Sequence, residues 1–271
     1  MTDKYAVFGN PIAHSLSPII HTFFAKTLNE DLEYSRILVE DHKFKETALA
    51  FKESGGKGFN VTVPCKIDAF NFVDFLSEDA KIAGAVNTVK FTQEGIYGFN
   101  TDGIGFVSDL KRLKAKVSGA KVLLLGAGGA AQGILNPLLK EGVQSITIVN
   151  RTQSKADALV EKFASSKIKT QSMNALNDDF SIIINATASS LHNEIPPLSD
   201  ELIKNADFIY DVMYSKKGST VFTEKAQALG VTKAYDGIGM LIMQAAASFE
   251  IWRGKQPDVE ATIEYFRSTL A

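Results

Sequence analysis

Cysteine is nearly absent from the 271-residue chain: Cys65 stands alone. One thiol closes no internal disulfide, so stability must come from buried apolar surface, and a reducing, cytoplasmic setting is expected. Excess charge is missing too. The chain has 29 Lys and Arg against 31 Asp and Glu, a formal net charge of −2. That balance leaves no electrostatic footprint for nucleic acid or anionic lipid. No apolar run approaches the roughly 20 residues of a membrane span. The opening MTDKYAVFGN lacks the charged-then-apolar order of a secretory signal. The four histidines (His14, His21, His42, His192) show no metal-ligand spacing with Cys65 or paired acids, so no metal is expected. What remains is a cytosolic globular protein, long enough for two cores; a small-molecule substrate, and a monomer or homodimer, are expected.

Hydrophobic residues make up 45% of the chain and charged residues 22%, ordinary values for a globular protein. The length suggests two domains of roughly 150 residues or less. Short β-branched runs alternate with helical stretches, the pattern of an α/β fold. In the first part, strands are expected at Tyr5–Phe8, Tyr34–Val39 and Phe59–Val63. Thr88–Phe91 and Ile96–Phe99 read as a hairpin around Glu94-Gly95. Helices are expected at Pro18–Leu28, Asp41–Ser54, from Lys66 onward, at Ser77–Ala83 and at Asp102–Leu113. After Lys116 the strands become continuous apolar runs (Lys121–Leu125, Ser145–Val149, Ile182–Ile184, Phe208–Val212), as in a parallel sheet covered on both faces. From Gly237 the chain reads as helical. Two α/β lobes with a cleft between them follow, and ligands are sought beyond the strand ends.

Gly126-Ala127-Gly128-Gly129-Ala130-Ala131 follows KVLLL directly and opens a helix. Glycines allow a tight turn and close approach of a pyrophosphate to free helix N–H groups. The strand–turn–helix setting makes this more than a glycine-rich turn. The next strand ends in Asn150-Arg151-Thr152, with Lys155 one turn further on. A carboxylate there would hold a ribose 2′-hydroxyl; two cations suit a 2′-phosphate instead, so NADP is favoured over NAD.

In the first lobe, His14-Ser15-Leu16-Ser17-Pro18 reads as a helix start with Ser17 as cap and Pro18 as first helical residue. Such an end suits a small carboxylate or phosphate, although capping alone would also explain Ser17. Asn60 and Thr62 alternate on one strand face, opposite Val61 and Val63. Lys66, Asn87 and Asp102 each lie near a strand end and could converge. Gln244 is a single amide on an apolar helix, sharing a face with Met240. Cys65 reads as a small buried hydrophobe. Glu30, Asp31 and Glu33 read as a solvated acidic patch, and Pro137 as a helix kink.

Taken together, the segments YAVFGNPIAHSLSP, FNVTVPCK, AGAVNT, GFNTDG, GAGGAA, NRT, INAT and YDGIGMLIMQAA resemble the shikimate dehydrogenase family, in the family's order and over essentially the whole chain. The resemblance implies NADP-dependent interconversion of shikimate and 3-dehydroshikimate in aromatic amino acid biosynthesis. It implies a substrate domain from residues 1–101 plus 238–271, and a Rossmann-type, doubly wound parallel domain from residues 102–237. Lys66 and Asp102 match the catalytic pair. Ser15 and Ser17 match serines that bind the substrate carboxylate, near a tyrosine matched by Tyr214. Thr62, Asn87, Asp102 and Gln244 match ring-hydroxyl contacts, with Asn60 in the same shell. Cofactor contacts are implied at Ala127, Asn150, Arg151, Thr152, Lys155, Val212 and Gly237, beside the glycine turn's Gly126, Gly128, Gly129 and Ala130. Three details depart from the family pattern: Cys65 where an aromatic is common, Ala188-Ser189-Ser190-Leu191 in the INAT loop, and Val212 where Met is common. The rival readings are an NAD-dependent quinate/shikimate dehydrogenase, a folate-type dehydrogenase, and a non-catalytic nucleotide-sensing module.

Overall fold

The computed structural model describes residues 2–176, 179–215 and 217–270. It divides into two compact units: Met1–Gly105 with Ile242–Thr262, and Phe106–Leu241 with Ile263–Ala271. Among the described residues no helix is long and apolar enough to cross a membrane.

The first unit runs β1 (Asp3–Gly9), α1 (Ser17–Leu28), β2 (Leu32–Leu38), α2 (Phe44–Glu53), β3 (Gly56–Val61), α3 (Lys66–Phe72), β4 (Phe75–Leu76), α4 (Glu78–Ala83), β5 (Thr88–Phe91), β6 (Ile96–Phe99) and the start of α5 (Asp102–Arg112). Its sheet has the order β2-β1-β3-β5-β6-β4. β1 is the strand that both faces bury. Ala6 and Phe8 enter one apolar cluster, where Phe8 stacks on Phe59 at 4.1 Å. Tyr5 and Val7 enter another, against Trp252. β1 is parallel to β2 and β3, whereas β5 is antiparallel to both β3 and β6. The sheet is therefore mixed: strand–helix alternation predicts parallel strands, and the expected hairpin inserts an antiparallel one among them. The reason is the β5–β6 hairpin, as a tight loop can only join antiparallel strands.

Several expectations shift. α1 begins at Ser17, and the residue before it, Leu16, contributes no side-chain cap. Ser17 is thus the first helical residue and not the cap. β3 stops at Val61, and Val63 is 68% exposed rather than sharing a buried face with Val61. The turn into Pro64 has already taken the chain off the sheet. α2 starts only at Phe44, because His42 adopts a left-handed φ of 63°. Glu30 is no solvated patch residue. It pairs with Arg253 and Lys255, and its side chain is 10% exposed. The long sequence separation of these partners hides the pairing from a local reading.

The second unit begins within α5 and continues β7 (Lys121–Leu125), α6 (Gly129–Lys140), β8 (Ser145–Val149), α7 (Gln153–Phe163), β9 (Ile168–Thr170), β10 (Ile182–Asn185), α8 (Asp200–Lys204), β11 (Phe208–Asp211), α9 (Val221–Ala228) and β12 (Ala234–Asp236). α10 (Ile238–Arg253) leads back to the first unit, and α11 (Val259–Leu270) closes the chain. The sheet order is β12-β11-β10-β7-β8-β9, with every pairing parallel. The first strand lies in the middle and the order reverses beside it, the doubly wound arrangement. Val122 and Leu124 feed the core on one face, Leu123 and Leu125 the core on the other. This is why KVLLL is apolar without alternation. α6 runs on through Pro137 to Lys140.

Candidate active site

Topology explains how residues 36 positions apart meet in the first unit. β3, β5 and β6 are sheet neighbours. Because β5 runs antiparallel, its beginning lies at the same edge as the ends of β3 and β6. Asn87 just precedes β5, while Lys66 and Asp102 are the first residues of the helices that follow β3 and β6. Lys66 Nζ lies 2.5 Å from Asp102 Oδ2, with side chains 29% and 14% exposed. The other carboxylate oxygen, Oδ1, accepts from Asn87 Nδ2 at 2.9 Å. The Asp102 backbone N–H donates to Asn100 Oδ1 at 3.1 Å. The carboxylate is thus fixed on both oxygens. An ammonium carries three donors, and the Asp102 bond uses one of them.

Beneath this pair lies a buried polar network. Asn87 Oδ1 accepts from the Thr101 backbone N–H at 2.9 Å and from the Thr88 hydroxyl at 2.8 Å. Its Nδ2 also faces Gln244 Oε1 at 3.4 Å. Asn60 is engaged at both ends: Tyr34 donates to its Oδ1 at 2.7 Å, and its Nδ2 donates to Ser248 Oγ at 3.0 Å and the Asn87 carbonyl at 3.1 Å. Asn60 therefore braces Asn87 from inside the protein. A buried network with its members satisfied is rigid, which is what a site needs under its reacting groups. Tyr34, Thr101 and Ser248 were not singled out from sequence. Thr101 stood inside the NTDG motif, and Ser248 lies one turn beyond Gln244, so two of the three had a local signal.

Ser15 and Ser17 lie side by side. Ser15 Oγ donates to Ser17 Oγ at 3.2 Å and accepts from the Ser17 backbone N–H at 3.3 Å. Thr62 follows β3, its backbone N–H donating to the Phe8 carbonyl at 2.8 Å, and is partly exposed. Cys65 is 2% exposed, and burial pushes its thiol up to about 11, the wrong direction for a nucleophile.

In the second unit, Gly126 holds φ 105°, and a Cβ there would meet the Ala186 carbonyl at 3.0 Å. A Cβ at Gly128 or Gly129 would meet nothing within 4 Å. The space above the turn is clear, and no side chain caps the N-terminus of α6. Ala127 and Ala130 pack against the core below. Asn150 Nδ2 donates to the Thr152 carbonyl at 2.8 Å, shaping the end of β8. Arg151 and Lys155 are exposed, and among the described residues neither side chain has a hydrogen-bond or ion-pair partner. The Val212 and Gly237 backbones approach so closely that a Cβ at Gly237 would lie 2.1 Å from the Val212 carbonyl. Asp211 braces these loops, accepting from Asn185, Ser190, Thr220 and the Met213 backbone N–H. Burial holds its carboxyl above the usual range against those donors. Tyr214 belongs to this unit, in the loop after β11, where burial raises its phenol.

An uncapped helix start, a cleared glycine turn and two unpaired cations at the end of β8 fit a dinucleotide with a 2′-phosphate. A fixed carboxylate–ammonium pair in the other unit fits proton transfer. Such a combination defines the class of nicotinamide-dependent oxidoreductases. Comparison with known proteins narrows the class. Residues 7–89 match the model of the shikimate dehydrogenase substrate binding domain, residues 109–196 that of shikimate / quinate 5-dehydrogenase, and residues 237–264 that of the shikimate 5′-dehydrogenase C-terminal domain. The shikimate dehydrogenase (NADP(+)) of Shewanella woodyi is 49% identical over 272 residues, covering 100% of this chain and 99% of that protein. That of Shewanella halifaxensis is 48% identical, covering 100% and 97%. A crystal structure of shikimate 5-dehydrogenase from Thermus thermophilus, in complex with NADP(H) and shikimate, superposes with a TM-score of 0.88 at 31% identity, covering 98% and 99%. The chain belongs to the shikimate dehydrogenase family.

Proposed function

We propose that this protein is an NADP-dependent dehydrogenase that interconverts shikimate and 3-dehydroshikimate, a step of aromatic amino acid biosynthesis. The observation that carries the proposal is the Lys66–Asp102 pair, held at 2.5 Å with Asn87 on the second carboxylate oxygen. The relatives' names, full-length similarity and NADP designation support it.

The glycine turn from Gly126 to Ala130 would hold the pyrophosphate, and Arg151 with Lys155 the 2′-phosphate, beside Asn150 and Thr152. Val212 and Gly237 would shape the nicotinamide end. The bound cofactor supplies or accepts the hydride. In the reducing direction Lys66 donates a proton to the carbonyl oxygen as negative charge develops there; in the oxidising direction it takes that proton back. General acid–base work of this kind contributes about 10²–10⁴-fold. Asp102 keeps the ammonium in place and accepts from the reacting hydroxyl. Ser15 and Ser17 would hold the ring carboxylate, and Thr62, Asn87 and Gln244 the other hydroxyls. Tyr214 is the remaining candidate for the carboxylate. The lone buried Cys65 supports a reducing cytoplasmic setting, and light scattering decides between monomer and homodimer.

The free cations after β8 and the NADP(+) relatives argue against the NAD-dependent quinate/shikimate reading. A nucleotide-sensing module would need no fixed ammonium–carboxylate pair. Absorbance at 340 nm, with shikimate and quinate each against NADP⁺ and NAD⁺, is the test. Rapid turnover of shikimate with NADP⁺ is expected, and no turnover of that pair would sink the proposal.

A further inference from the structure

We propose that Arg36 is a positioning residue that tunes the Ser15–Ser17 turn for an anionic group on the substrate. The inference deepens the reading above and rests on it. Arg36 stands on β2, two residues after Tyr34, so both side chains leave the same face of the strand. Tyr34 reaches into the buried network through Asn60. Arg36 reaches the turn before α1. Its Nε and Nη2 donate to a single acceptor, the Ser15 carbonyl oxygen, at 3.1 and 2.6 Å.

Two donors from one rigid guanidinium hold the Ser15 carbonyl oxygen in place, as the fork cannot swing without breaking a bond. The other side of Ser15 is held as well, its backbone N–H donating to the Ile12 carbonyl at 3.1 Å. Leu16, on the far side of the clamped peptide, accepts the first bond of α1, from the Ile20 N–H at 3.1 Å. The residue that directs both hydroxyls is therefore pinned before and after, and its Oγ is left facing Ser17. Leu16 itself offers no side-chain cap, so these two serines and Arg36 are the polar side chains at the start of α1.

Charge matters as much as geometry. Among the described residues no carboxylate pairs with Arg36. An unneutralised cation one peptide away from two hydroxyl donors favours a carboxylate over a neutral ester. Lysine could not repeat this, having a point charge and no fork. Hydrogen bonds to an ionised group are roughly twice as strong as neutral ones, so loss of the clamp falls mainly on the anion.

The experiment compares shikimate with its neutral methyl ester in the wild-type protein and in Arg36→Ala. The readout is the ratio of kcat/KM for acid over ester. The expected result is a rise of about 10-fold in KM for shikimate, little change in kcat, and a fall of at least about 5-fold in the ratio. An equal loss for both substrates, or no loss for either, overturns the inference, since a merely structural role would not separate acid from ester. Should Arg36→Ala fail to fold, Arg36→Gln keeps a polar, shorter side chain without the charge or the fork, and the same ratio decides. Absence of shikimate turnover in the wild-type protein would instead reject the functional reading itself.

Discussion

Acidification should weaken this fold in part through a buried histidine, His21. Its side chain is 1% exposed, stacked on Tyr34 at 4.3 Å and packed near Phe24, Phe249 and Trp252. Among the described residues neither ring nitrogen has a hydrogen-bond partner. Burial drives its pKa from 6.5 down to about 3, and the nearby Asn60 amide opposes this only weakly. Between those two values the unfolded chain binds a proton that the folded chain refuses. Stability is therefore intact above about pH 6.5 and declines as pH falls toward 3. At about pH 5 the single-site linkage amounts to RT ln(1 + 10^1.5), or roughly 2 kcal/mol, relative to about pH 7.5. Urea unfolding at both pH values would measure it, in the wild-type protein and in His21→Phe, which keeps an aromatic ring in the stack. The wild type should lose roughly 2 kcal/mol more than the variant on acidification. Equal losses would refute the reasoning, because carboxylate titrations are common to both proteins and cancel in the difference.

Arg151→Ala should raise KM for NADP⁺ by about 10-fold or more while leaving KM for NAD⁺ nearly unchanged, since a charge-assisted bond is worth about 1.5–3 kcal/mol; parallel changes would remove Arg151 from the 2′-phosphate site. Gly105→Ala should destabilise the protein by about 1–3 kcal/mol and raise KM for shikimate, because the new Cβ would lie 2.7 Å from the Gln244 backbone nitrogen and Cβ. Unchanged denaturation and kinetics would show that α5 and α10 yield there without cost.

Strands buried on both faces were the most legible elements. Lys121–Leu125 and Ser145–Val149 are seen with the bounds their apolar runs predict, as is the Thr88–Phe91 and Ile96–Phe99 hairpin. β4, β9 and β12 went unread, being two or three residues long and given their strand character by neighbouring strands rather than by pattern. The hairpin already implies one antiparallel pair in the first sheet, but that β5 also pairs antiparallel with β3 is set by long-range register and carries no local pattern. Motif residues were legible as residue types, but their partners were not. Tyr34, Asn60 and Ser248 are joined across 26 and 188 positions, and only the folded sheet shows that Asn60 faces inward. Ser17 misled because Ser before Pro is the usual cap signature, whereas here the preceding Ser15 supplies the hydroxyl at the helix start.

In the proposed reaction the ammonium of Lys66, fixed by Asp102, moves the proton that accompanies hydride transfer. Steady-state kinetics of Lys66→Ala with shikimate and NADP⁺, alongside calorimetric binding of shikimate, test it most directly. The expected result is a fall in kcat of about 10²–10⁴-fold with shikimate affinity largely kept. A variant that turns over at the wild-type rate would contradict it.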